Sequence, residues 1–202
     1  MVELLKIPEV IQWSRGNTAF LTKDIDNNLT KREFNKQAQS NERIFGHFLS
    51  KLINPNTNSN NQWTTIVGEE LVRQVLIQNN HIIISERKKC IMKRQDINKQ
   101  FEIDIETDKC IVEVKTGTYF THGTAHEKIL AVPYKYAGVS EYFNKPLWIV
   151  CVADDEQYAK RELLADDSRK EFYNFYKSKN IHYIFLSDLI STSDAVDPGL
   201  LL

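Results

Sequence analysis

Phe101-Glu102-Ile103-Asp104-Ile105-Glu106, a short Thr107-Asp108-Lys109 break, and Cys110-Ile111-Val112-Glu113-Val114-Lys115 make up the stretch on which the fold turns. Both runs alternate apolar and polar residues, the period of a half-buried strand, and the break is short enough for a tight turn. The pair reads as an antiparallel hairpin. With Asp108 and Lys109 as a two-residue turn, Ile105 faces Val112 and Ile103 faces Val114 on one side. Asp104 then faces Glu113, and Glu102 faces Lys115, on the other. A three-residue turn sets apolar residues against charged ones, so the hydrophobic pattern selects the first register.

Two opposed carboxylates with Cβ atoms about 5 Å apart repel and weaken a hairpin unless positive charge lies between them. A divalent cation answers that need, and oxygen ligands suit Mg²⁺, with Mn²⁺ as a substitute, better than a soft metal. Lys115, two residues beyond Glu113, projects from the same face and can set an ammonium beside water and an attacked phosphate. Glu86-Arg87-Lys88 has the same acid-x-lysine spacing, so the spacing alone is weak. Its place on a strand, in register with Asp104, sets Glu113-Val114-Lys115 apart. The alternative is a solvated salt-bridge ladder.

Outward from the hairpin, Ser40 to Ile53 carries Ile44, Phe45, Phe48, Leu49 and Leu52 at helical spacing, and residues 1–39 read as an N-terminal arm, a helical extension of the core. Asn54 to Gln62 is rich in asparagine and reads as a surface loop. A second helix spans Thr64 to Ile77, and a strand His81 to Ser85. Beyond the hairpin a helix starts at Thr124, is interrupted near Pro133 and resumes to about Phe143. A strand at Leu147 to Val152, an amphipathic helix within Gln157 to Lys177 and a strand at His182 to Leu186 complete the chain. The order α-β-β-β-α-β, with a further helix and strand, predicts an α/β (α+β) fold: one domain with a central mixed β-sheet flanked by helices and its core over residues 40–190.

At 202 residues, 42% hydrophobic and 26% charged, the chain can bury a core of its own. Leu147 to Ala153, its longest apolar run, is far short of a membrane span, so no membrane association is expected. Acids at Glu3 and Glu9 do not suit a secretory signal. Cys90, Cys110 and Cys151 are odd in number and widely spaced, which favours a reducing compartment and a cytoplasmic location. A net charge of -1 leaves any nucleic-acid site to a local basic surface. Between Ser85 and Gln100 stand Arg87, Lys88, Lys89, Lys93, Arg94 and Lys99 against Glu86 and Asp96, a candidate phosphate-contact stretch beside the hairpin. Solvated loop lysines are the alternative.

Asp104, eight intervening residues, and Glu113-Val114-Lys115, set within that element order, resemble the PD-(D/E)XK nuclease superfamily and, within it, the type II restriction endonucleases. The resemblance spans about Thr64 to Leu186, and Ile103 stands where the family motif has proline, which is not a ligand. It implies a restriction-endonuclease-like core and hydrolysis of phosphodiester bonds with Mg²⁺. Asp104 and Glu113 would be metal ligands, the Val114 carbonyl a further ligand, and Lys115 the group that aims or deprotonates water. It also implies a sequence-specific cutter of double-stranded DNA and, because both strands of a symmetric site are cut, a homodimer. Many members take another acid from the helix before the first core strand. Helical geometry favours Glu69, at the edge of the apolar arc, over Glu70, which points away; an ordinary solvated acid remains the alternative.

Thr124-Ala125-His126-Glu127 fits a capping box, and a helix start there, with Gly123 before it, offers a phosphate cradle of Thr124, His126 and Lys128. His122 and His126 have a zinc-like spacing but no cysteines to complete a site. Trp13 to Thr18 and the asparagine loop carry residue types that read bases, without a spacing that demands it. A repair or junction-resolving nuclease of the same fold and a non-catalytic nucleic-acid-binding domain are the rival readings.

Overall fold

Among the described residues, five strands form a single sheet in the order in which they occur: β1 (Ile83–Arg94), β2 (Ile97–Thr107), β3 (Ile111–Gly117), β4 (Leu147–Ala153) and β5 (Ile181–Phe185). The structure is a computed structural model. It describes residues 2–57, 62–94, 97–120 and 127–192, with side chains for all of these except 93–94, 97–99, 127 and 191–192. β1, β2 and β3, which lie close together in sequence, run antiparallel, whereas β3, β4 and β5 run parallel, because helical crossovers separate them in sequence. The result is an α+β architecture with an open mixed sheet flanked by helices.

Helices α1 (Pro8–Ser14), α2 (Ala19–Thr22), α3 (Lys31–Ile53) and α4 (Trp63–Gln78) precede the sheet. Short helices α5 (Glu127–Leu130), α6 (Val132–Lys135) and α7 (Val139–Phe143) connect β3 to β4, and α8 (Asp154–Leu164) and α9 (Asp167–Ser178) connect β4 to β5. α10 (Leu186–Thr192) follows β5 directly. Period-2 alternation divides β4 between two cores. Val150 and Val152 pack with Leu49, Leu71, Val75, Ile105, Val112 and Val114 on the α4 side. Ile149 and Cys151 pack with Phe101, Ile103, Ile111, Ile129, Leu163 and Tyr183 on the other. No helix among the described residues is long and apolar enough to cross a membrane.

Several boundaries differ from the sequence expectations for identifiable reasons. α3 begins at Lys31 rather than Ser40, because Thr30 and Glu33 form a capping box. Leu4, Val10, Trp13 and Leu21, expected in an arm, are buried in the α4-side core. β1 runs on through the basic stretch to Arg94, so Arg87, Lys88 and Lys89 lie on a strand and not in a loop. Cys90 and Met92 anchor that extension in the second core. The expected helix through Phe143 is three short pieces, with Pro133 at the start of α6 and Gly138 in the left-handed region (φ +88°) before α7. The single helix expected within Gln157 to Lys177 is two, since the Asp166 side chain accepts from Arg169 N at 2.9 Å and starts a new helix.

Candidate functional site

Near its turn the β2–β3 hairpin holds the register that the hydrophobic pattern selects. Ile105 pairs with Val112 and Glu106 with Ile111, and Thr107 N donates to Cys110 O at 2.9 Å. Beyond Ile105 the strands part, and the Asp104 carboxylate enters the seam: Val114 N donates to Asp104 Oδ2 at 2.7 Å in place of a ladder bond. The expected pair of Ile103 with Val114 on one face is therefore not made. Ile103 lies in the second core and Val114 in the first.

The cause is a change of face shared by β1 and β2. Glu86 stays opposite Ile105 and Lys88 opposite Ile103, so the register is kept across Arg87 and Asp104. Arg87 nevertheless has φ +49°, in the left-handed region that side chains rarely adopt. Glu86 and Arg87 both reach residues of α4, Arg73 and Glu69 respectively, while Lys88 reaches Glu106 on the other side. Successive residues on one face in both strands twist the ribbon at the point where Asp104 must turn into the seam.

Glu113 is buried, 5% exposed at its side chain. Its Oε1 accepts from the Lys115 ammonium, which also donates to the Val114 carbonyl at 3.1 Å, whereas its Oε2 is buried with no hydrogen-bond partner. Burial pushes the Asp104 carboxyl up to about 7, the charge of Glu113 adds to that rise, and the Val114 N–H bond opposes it. Tyr136, the residue that closes α6, donates to Glu102 O at 3.2 Å, and burial together with the nearby Glu113 charge pushes its phenol up. No sequence signal marks Tyr136, because an aromatic at the end of a short helix has no pattern of its own.

Glu69 and Glu70 take different partners, but Glu70 is not turned to solvent as the helical angle suggests: its side chain is 13% exposed against 17% for Glu69. Glu69 Oε2 accepts from Arg87 Nε at 3.0 Å and Nη2 at 2.9 Å, and burial raises its carboxyl, Arg87 opposing and Glu113 and Glu102 adding. Glu70 turns to Arg73, at 2.8 Å, and to Gln74. Gly68 sets how near α4 comes to the sheet: a Cβ there would meet Thr116 of β3, 2.9 Å from its Cβ. Of the basic candidates, Arg87 is tied to Glu69 and Lys88 to Glu106, which also takes Lys145 at 3.0 Å. Lys89 is exposed on β1 opposite Glu102, and Lys128 is exposed in α5. Lys93 and Arg94 belong to β1, with side chains outside the described set. Thr124, His126 and His122, with the capping box and the zinc-like spacing, lie outside the described residues.

Among the described residues, no group of three or more His, Cys, Asp or Glu side chains is arranged to hold a metal ion. What the seam offers is two carboxylates, Asp104 and Glu113, and the Val114 carbonyl. That oxygen-only set fits Mg²⁺, which uses one or two carboxylates and leaves its other positions to water and substrate phosphate. The unpartnered Glu113 Oε2 is a buried acceptor of the kind a cation satisfies.

No family model and no curated protein matches the chain. Among solved structures it is similar to the crystal structure of protein VC1899 from Vibrio cholerae, at 13% sequence identity and a TM-score of 0.39, over 92% of this chain and 50% of that one. The chain spans about half the length of that protein.

Proposed function

We propose that the chain is a Mg²⁺-dependent, sequence-specific double-stranded DNA endonuclease of the PD-(D/E)XK restriction type, acting as a homodimer. The observation that supports this reading is the parted β2–β3 seam: Asp104 turned into it on the Val114 N–H, with Glu113 and Lys115 beside it. Asp104, Glu113 and the Val114 carbonyl are the residues that would hold Mg²⁺, which when bound polarises the scissile phosphate. The Val114 N–H fixes the rotamer of Asp104, so the carboxylate is in place before substrate arrives. Lys115, anchored on the Val114 carbonyl and 24% exposed, can reach solvent and, as an ammonium donor, aim the attacking water and offset the charge that develops on the phosphate. Water oxygen bonds to phosphorus, the 3′ oxygen departs with a proton, and the ends are 5′-phosphate and 3′-hydroxyl. Two copies about a two-fold axis would present one site to each strand.

Digestion of unmethylated plasmid and genomic DNA with and without Mg²⁺, followed by sequencing of the ends, tests the proposal. Discrete Mg²⁺-dependent fragments that share an end sequence are expected. Cutting confined to branched or damaged substrate indicates the repair-type rival, and no cleavage of any nucleic acid refutes the enzyme.

A further inference from the structure

Positive charge is already built in at two places, one in the acidic seam and one beside it, between β1 and α4. Lys115 lies against Glu113 and the Val114 carbonyl. Arg87 lies against Glu69, with two N–H groups on the one oxygen Oε2. The backbone is bent to put Arg87 there: its φ of +49° places it on the α4 side, directly across from Asp104 in the β1–β2 register. A guanidinium keeps its charge throughout the accessible pH range, so this positive charge is permanent. Glu102, whose charge also reaches Glu69 and Arg87, stands exposed opposite the exposed Lys89, so those two offset each other. The remaining three carboxylates (Glu69, Asp104, Glu113) against Arg87 and Lys115 leave one net negative charge. One divalent ion and one phosphodiester bring the set to neutrality, and a second ion would overshoot it.

We infer that Arg87 stands in place of a second divalent cation, so that the site takes one ion, at Asp104 and Glu113, and Glu69 anchors Arg87 instead of ligating metal. The identity of that one ion rests on the nuclease reading; the role of Arg87 is the new element. It makes Glu69 a positioning residue, and it explains why the most basic stretch of the chain ties its first arginine, still 56% exposed, to a glutamate of α4.

Mn²⁺ titration of the full chain, read by the electron paramagnetic resonance of free Mn²⁺, tests the inference, with circular dichroism melts to verify folding. Wild type is expected to bind one ion. Arg87→Met is expected to bind two, the second held by Glu69 and Asp104, and Arg87→Met/Glu69→Gln to return to one. Arg87→Lys keeps the charge and one ion, and Glu69→Gln alone keeps its ion. Two ions in wild type, one in a folded Arg87→Met, or loss of the ion in Glu69→Gln overturns the inference and leaves the nuclease reading standing. A wild type that binds none removes the nuclease reading and the inference together.

Discussion

Gly68 decides how closely α4 carries Glu69 to the sheet, and replacing it with alanine tests that geometry directly. The added Cβ would run into Thr116 Oγ1 and lie 2.9 Å from Thr116 Cβ and 3.2 Å from Cγ2. Overpacking of this kind costs about 1–3 kcal/mol. Against it, alanine is favoured over glycine in a helix interior by about 0.8–1 kcal/mol. The single variant should therefore lose about 0–2 kcal/mol, and at roughly 2–4 °C per kcal/mol its Tm should fall by no more than about 8 °C. The double-mutant cycle with Thr116→Ala is sharper, because helix propensity contributes equally in both backgrounds and cancels. Thr116→Ala removes Oγ1, a buried hydroxyl without a partner, and Cγ2, leaving only the Cβ contact. A coupling of about 1–2 kcal/mol is expected, the Gly68→Ala change being better tolerated in the Thr116→Ala background. Urea unfolding of the four chains measures it. Additivity to within about 0.5 kcal/mol would show that the two residues do not press on one another.

Three further outcomes are expected. Burial, helped by the charge of Lys109 and opposed by Asp108, holds the His81 imidazole below its ordinary pKa. The unfolded ring thus protonates first, the His81 contribution is complete above about pH 6.5, and it is lost as pH falls through the folded value. Unfolding measured between about pH 7.5 and about pH 5 should lose less stability in His81→Phe than in wild type, and equal losses would refute this. Glu42, 1% exposed, accepts from Trp13 Nε1 at 2.9 Å and Tyr119 N at 3.1 Å, so Glu42→Ala should cost about 2–5 kcal/mol in chemical unfolding, with Glu42→Gln milder; a loss below about 1 kcal/mol contradicts that bonding. Cys90, Cys110 and Cys151 are buried, and burial pushes their thiols up, Cys110 to about 12. A thiol reagent should label them only on unfolding, and rapid labelling of the native chain would show an open core.

The hairpin was legible because strand parity is a local signal: the turn at Asp108 and Lys109 and the Ile105–Val112 pair follow from which residues are apolar. The parting of the strands was not, since it depends on a side-chain oxygen of Asp104 competing with a main-chain carbonyl for Val114 N–H. Parity also misled at Ile103, where the face changes without a change of register and leaves no trace in the alternation. Helical angle sets Glu69 towards the sheet but turns Glu70 away, which the burial of Glu70 on Arg73 and Gln74 contradicts, and it gives no sign of Arg87, because that contact needs the turned backbone of a strand that the lysines conceal. Thr30-x-x-Glu33 marks the start of α3, but between Lys31 and Arg43 only Phe34 and Ala38 are apolar, and closely spaced apolar residues at helical intervals begin at Ile44.

Whether Asp104 and Glu113 converge on one cation is addressed most directly by thermal melting with and without Mn²⁺. A ligand held only by the folded chain stabilises it by about 2.7 kcal/mol at a hundredfold excess over its Kd. Wild type should therefore melt higher in Mn²⁺, whereas Asp104→Asn and Glu113→Gln should not respond. Without metal, Asp104→Asn should melt no lower than wild type, because an amide that still accepts from Val114 N–H replaces a buried acid beside another acid. An equal Mn²⁺ shift in wild type and in both variants would place the cation elsewhere and contradict that convergence.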